Sequence, residues 1–287
     1  MYFGHQTTQG APVRLLFPLL LGVAVARSGA QTSVPTSDSV GRDTVTSPVR
    51  PARLRRPEFG RNTRAMLFTA VGVGGAVSLF DSRLLLGARR LGGDDMRTPS
   101  SVGSFIGGPT PLALGVTFYG LGRATGNTFA RNTGRELIRS IAVSGAITAL
   151  TKGIVGRARP FAAAGDPDEF SPGHGFANGA LASFPSGHTS AAFATATVLA
   201  RELHASHVGP RWLTNSLLFG GAAFVGYSRV YDRQHWPSDV VAGAALGAIT
   251  GYEVVAHAHG DRSRIGRRLF SHVAIGTGGI GLQFAGP

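Results

Sequence analysis

The chain of 287 residues is long enough for one sizeable domain or two small ones, and at 43% hydrophobic and 15% charged it is apolar for a water-soluble protein. It has no cysteine, which excludes disulfide frameworks, thiolate metal sites and cysteine nucleophiles. Its formal charge of +13 points to anionic partners, but the arginines are scattered without a dense tract or aromatic interleaving, so nucleic acid is not an expected partner.

In chain order, Arg14 precedes the apolar run "LLFPLLLGVAVA", residues 15–26, which has the length of a signal-peptide core. Cleavage after Ala30, or after Ala26, fits the small-residue pattern, so residues 1–30 are expected to direct export to the cell envelope. Residues 31–64 are rich in Ser, Thr, Pro and Arg and read as a flexible linker. Apolar segments then follow near 65–80, 104–122, 137–151, 189–203, 212–227 and 239–257, predicting an all-α bundle of six helices over 65–258. The spans are short for crossing a bilayer, and Asn215 and Glu253 interrupt two of them, which leans toward a soluble periplasmic bundle and leaves membrane association open. If residues 1–30 are cleaved and all six segments span, the polar clusters described below fall in the cytoplasm. A soluble bundle, or an N-terminal segment that is not a signal, leaves them facing the periplasm. The tail, 259–287, has some strand-like alternation.

Three polar clusters break the apolar texture at helix ends. "KGIVGRARP" (152–160) closes the third segment, "PSGHTS" (185–190) opens the fourth, and "SRVYDRQHWPSD" (228–239) joins the fifth to the sixth. If the tips converge, Lys152, Arg159 and Arg229 supply three fixed cations and His188 and His235 two titratable rings, a set suited to a tetrahedral phosphate dianion. Ser186 and the Gly187 amide at a helix start add neutral donors. Asp239, four residues after His235, can fix that ring's tautomer so that its other nitrogen presents a lone pair. Of the 28 cationic residues only Lys152 is a lysine, which suggests that a compact ammonium is wanted there.

Taken together, Lys152 and Arg159-Pro160 across six residues, then Pro185-Ser186-Gly187-His188, then Ser228-Arg229, His235 and Asp239, resemble the type 2 phosphatidic acid phosphatase (PAP2) family, which shares its motifs with bacterial acid phosphatases and vanadium haloperoxidases. The resemblance implies a six-helix bundle with its active site at one end. In that reading His235 attacks phosphorus, Asp239 orients it and His188 is the general acid and then base. Lys152, Arg159, Ser186, Gly187 and Arg229 hold the phosphate, with no metal or other cofactor. It implies a phosphatase acting on phosphomonoesters or lipid phosphates and diphosphates. A vanadium-dependent haloperoxidase is the alternative, and a non-catalytic envelope protein on the same fold the second.

Other candidates carry less. His174 reads as a loop residue near the substrate entrance, and His204 and His207 as cations at a helix C-terminus. His257 and His259 suggest a metal but lack an evident third ligand. Asp232 and Arg233 would pair with each other or rim the pocket, Asp166, Asp168 and Glu169 would form a solvated loop face, and Trp236 would pack.

Overall fold

The computed structural model describes residues 59–93 and 97–260, with the backbone alone at 59–62 and 97, and the backbone of 273–276 and 279–282. The predicted signal peptide and most of the predicted linker lie outside them. Eight α-helices occur among the described residues: α1 (Phe59–Ser78), α2 (Asp81–Gly92), α3 (Arg97–Gly107), α4 (Thr110–Thr125), α5 (Thr128–Val155), α6 (Gly187–Ala205), α7 (Arg211–Tyr231) and α8 (Pro237–Ala258). Two short antiparallel strands, β1 (Val273–Gly276) and β2 (Gly279–Leu282), pair within the tail.

The count differs from the expected six for two local reasons. The segment 104–122 is not one helix: Gly107-Gly108-Pro109 breaks it into α3 and α4, proline being tolerated at a helix start but not inside one. The α2 helix, "DSRLLLGARRLG", is short and broken up by three arginines, so it shows no long apolar run, yet it buries Asp81 and Leu85. Residues 59–64, read as the end of the linker, belong to α1.

Helix ends are set by local chemistry. The Asn127 side chain accepts from the Ala130 N–H to start α5, and Gly156, with φ of 62°, ends it in the left-handed conformation that glycine adopts without penalty. Ser186 is the N-cap of α6, while Pro237 opens α8 and the Asp239 carboxylate reaches back to the Trp236 N–H. Packing of α6 on α8 is backbone-close. A Cβ on Gly243 would stand 2.4 Å from Ser186 O, and one on Gly247 2.1 Å from Ser190 O. Small residues at this seam therefore press the start of α6 against the start of α8, and two of the three polar clusters with it.

The polarity of the bundle is unusual for a water-soluble protein. Its interior holds Thr133, Ser140, Ser144, Thr148, Thr189, Ser190 and Thr250, whereas Phe68 is 75% and Leu79 80% exposed, and Leu112, Leu150, Ile154 and Leu217 also face outward. Broad apolar surface of this kind is costly in water. Two helices, α5 with 28 residues and α8 with 22, are long and apolar enough to cross a membrane, and α1 and α2 pass the same test as a pair bent by 78°. The bundle is membrane-associated. The expectation of uniformly short segments fails because the polar first turns of α5 hid its length.

Candidate active site

The third of the clusters is assembled first, because the chain between α7 and α8 is only five residues long. Arg229 lies in the last turn of α7, and its carbonyl accepts from the N–H groups of Gln234 (3.0 Å) and His235 (3.2 Å), folding the link back on the helix end. The Arg229 guanidinium donates to Asp232 Oδ2 at 2.6 Å, and to the Ser104 hydroxyl of α3. Asp232 therefore pairs with Arg229. Arg233, expected either to pair with Asp232 or to rim the pocket, donates to Pro160 O at 3.0 Å.

The first cluster reaches the same place from α5. Lys152 Nζ donates to the carbonyls of Ala182 (2.5 Å) and Ser183 (3.2 Å). Arg159 Nη1 donates to Gln234 Oε1 at 2.8 Å and its Nε to Gly179 O at 2.9 Å, so the first and third clusters touch directly. The second is tied in by the Ser186 N–H, which donates to Asp239 O at 3.0 Å, while Ser186 Oγ lies 2.9 Å from Thr189 Oγ1. The Gly187 amide is the first of α6, so its N–H is free of any helical carbonyl partner.

The electrostatics are those of one site. His188 is held down at about 4 by burial and then by Arg229, Lys152 and Arg159. His235 is likewise pushed down to about 4, mostly by burial, with Asp239 opposing and Lys152 and Arg159 adding to it. Every candidate cation is thus within electrostatic reach of at least one of the two imidazoles. The α3–α4 break forms part of the wall: a Cβ on Gly108 would stand 3.3 Å from His188 Nε2, and one on Gly107 3.1 Å from His188 Cβ.

Behind His235 lies a buried network that sequence spacing did not reveal. His235 Nδ1 is 3.7 Å from Asp239 Oδ2, longer than a hydrogen bond. Asp239 Oδ2 accepts from Ser183 Oγ (2.5 Å) and the Trp236 N–H (2.9 Å), and Oδ1 from Arg157 Nη1 (2.7 Å). Arg157 Nη2 donates to Asp81 Oδ2 at 2.8 Å, and Asp81 accepts from the Ser238 N–H (2.8 Å) and hydroxyl (2.5 Å). One guanidinium thus bridges two fully buried carboxylates and fixes the start of α8 against the start of α2. Arg157 sits inside the six-residue gap of the first cluster, where counting the end residues passes over it, and Asp81 is far away in sequence.

Removing Arg157 leaves two buried carboxylates unneutralised. Arg157→Ala is expected to destabilise the fold by about 3–5 kcal/mol, read as a lowered midpoint of thermal unfolding in detergent.

The remaining candidates stay apart. His174 Nδ1 is 3.2 Å from Pro172 O on an exposed turn, His204 Nε2 is 3.0 Å from Thr214 Oγ1 at the far end of α6, and Asp166 Oδ1 accepts from the Asp168 N–H at 2.9 Å. Trp236 is fully buried and donates from Nε1 to Ala158 O at 2.9 Å, a packing role with its polar edge satisfied.

All eight residues of the candidate site fall within 134–263, the stretch that matches the PAP2 superfamily. A 70-residue segment, 24% of the chain, is 43% identical to lipid A 1-phosphatase of Porphyromonas gingivalis and spans 15% of that protein's length. The fold is similar to the crystal structure of a transmembrane PAP2 type phosphatidylglycerolphosphate phosphatase from Bacillus subtilis, with a TM-score of 0.52 over 70% of this chain and 98% of the other, at 19% identity.

Proposed function

We propose that this protein, whose residues 134–263 match the PAP2 superfamily, is a lipid phosphatase that works through a phosphohistidine without a catalytic metal. The observation that carries the reading is the meeting of Lys152, Arg159 and Arg229 around two imidazoles, His188 half-buried and His235 buried and backed by a carboxylate.

In this reading the three cations, the Ser186 hydroxyl and the Gly187 N–H bind the non-bridging phosphate oxygens and neutralise charge as it builds. Asp239 faces Nδ1 of His235, leaving Nε2 to attack phosphorus. The P–N bond forms as the P–O bond to the leaving group breaks, and His188 gives its proton to the departing alkoxide. Water then attacks phosphorus, His188 takes its proton, the P–N bond breaks, and inorganic phosphate leaves with His235 restored.

A lipid substrate is favoured by the apolar exterior of the bundle, and both relatives are named for phosphate groups carried on lipids. The leader-like residues 1–30 support an envelope location. The decisive experiment is hydrolysis by the full chain in detergent micelles. Phosphate release from phosphatidic acid or phosphatidylglycerolphosphate that persists in EDTA and is blocked by vanadate is expected. No release from any lipid phosphate or from p-nitrophenyl phosphate would overturn the proposal, and bromide oxidation by peroxide after vanadate loading would replace it with haloperoxidase chemistry.

The sole lysine gives a sharper check. Lys152→Arg retains the charge but replaces a compact ammonium with a planar fork that does not reproduce its geometry against the Ala182 and Ser183 carbonyls. A fall in kcat/KM of roughly 10²-fold is expected, the scale of losing one transition-state donor. Wild-type kinetics would show that any cation suffices there.

A further inference from the structure

We propose that Glu136, Glu202 and His259 form a binding site for a zinc-class divalent ion at the end of the bundle opposite the phosphate pocket. The sequence offers His257 and His259 without an evident third ligand, and the fold supplies two carboxylates to His259. Glu136 comes from α5, Glu202 from the last turns of α6, and His259 is the C-cap of α8. One ligand atom from each lies within 4.8 Å of the others. The same three helices carry Lys152, His188 and Asp239 at their other ends. At about 1.5 Å per residue the two sites are roughly 20–30 Å apart, so this cluster is no part of the phosphate chemistry.

Several observations favour an ion over a merely polar core. Glu136 and Glu202 are 4% and 6% exposed, and two carboxylates so close and so buried repel unless a cation or a proton lies between them. Glu136 Oε2 is buried and has no hydrogen-bond partner, a costly lone pair in a dry interior. Neither neighbouring arginine satisfies that oxygen: Arg135 donates to Asn132 Oδ1 at 2.8 Å, and Arg139 Nε is itself without a partner. Glu202 Oε1 accepts from His259 Nε2 at 2.7 Å.

The donor set selects the ion. An imidazole with two carboxylates suits zinc, whereas magnesium and calcium ask for six or more oxygens. Zinc bonds of about 2.0–2.2 Å hold ligand atoms roughly 3.4 Å apart, so closing the cluster takes side-chain rotation of about an ångström. The ion would replace the proton on His259 Nε2 and release it on binding. The His259 side chain, 43% exposed, provides the entry path and room for a water as fourth ligand. Bound there, the ion would tie α5, α6 and α8 together at the end remote from catalysis.

The test uses the full chain in detergent, free of any histidine tag, stripped with chelator and titrated calorimetrically with zinc chloride. One ion per chain with Kd near or below about 1 µM is expected, with binding weakened at least about 10-fold by Glu202→Gln and by His259→Ala and unchanged by His207→Asn. Phosphate release by each variant reports its fold, since none of these residues belongs to the phosphate pocket. Should Glu202→Gln fail to fold, the half-exposed His259→Ala carries the test. Binding weaker than about 100 µM, or equal binding by wild type and His259→Ala, would overturn the site and leave the carboxylates sharing a proton. Neither outcome bears on hydrolysis at the other end.

Discussion

His235→Ala is expected to abolish turnover, by roughly 10⁴-fold or more, while the protein still folds and binds phosphate. The ring is 2% exposed and sits where the link between α7 and α8 is pinned by the Arg229 carbonyl, so its position depends on backbone hydrogen bonds that alanine retains. What alanine removes is the atom that, in the proposed mechanism, bonds to phosphorus. With no second nucleophile in that position, water must attack unaided. Two measurements separate this from a packing defect. Wild type quenched in alkaline SDS should carry label from ³²P-substrate in a form that is acid-labile and base-stable, and the variant none. His235→Asn, closer in volume, should be just as inactive. Turnover near wild type in either variant removes His235 from the nucleophile role.

The same residue fixes the acid limb of the pH profile. A nucleophilic imidazole must be neutral, and His235 is pushed down to about 4, chiefly by burial. A depressed pKa keeps the ring deprotonated above that value, so kcat/KM should hold to about pH 5 and fall as the pH drops through 4. An acid limb near the ordinary imidazole range would mean that His235 is far more solvated than its position implies.

How much of this was readable from sequence follows from what each feature depends on. The three polar clusters were legible because each occupies one contiguous stretch at a helix end, where spacing reports geometry. Their convergence depends on helix packing, and its physical basis is the Gly243 and Gly247 seam between α6 and α8, which a list of charged residues does not contain. The α2 helix escaped because its stabilisation is not a long apolar face: Asp81 anchors it to Arg157 and Ser238 through a contact spanning most of the domain. Glu136 and Glu202 escaped for the same reason, being unremarkable single acids until α5 and α6 are laid side by side. Short-range chemistry was visible in the string, and long-range polar contacts were not.

His188→Ala separates the two halves of the reaction, and its effect should depend on the leaving group. In the free pocket His188 is held at about 4 by burial and by Arg229, Lys152 and Arg159, so near neutral pH it carries no proton to donate. A phosphate dianion bound among those same cations offsets their field and raises the affinity of the ring for a proton. In the proposed mechanism the acid is thus charged only when substrate is present, with the proton brought in alongside it. A lipid alkoxide, a poor leaving group, needs that proton, and its loss should cost roughly 10²–10⁴-fold in kcat/KM. p-Nitrophenolate leaves without it, so formation of the phosphohistidine should be little affected. Breakdown of that intermediate still needs His188 to deprotonate water. His188→Ala should therefore release p-nitrophenol in a burst of about one equivalent per chain and then stall, with label trapped on His235. Equal losses for lipid and p-nitrophenyl substrates, with no burst, would assign His188 to phosphate binding rather than to proton transfer.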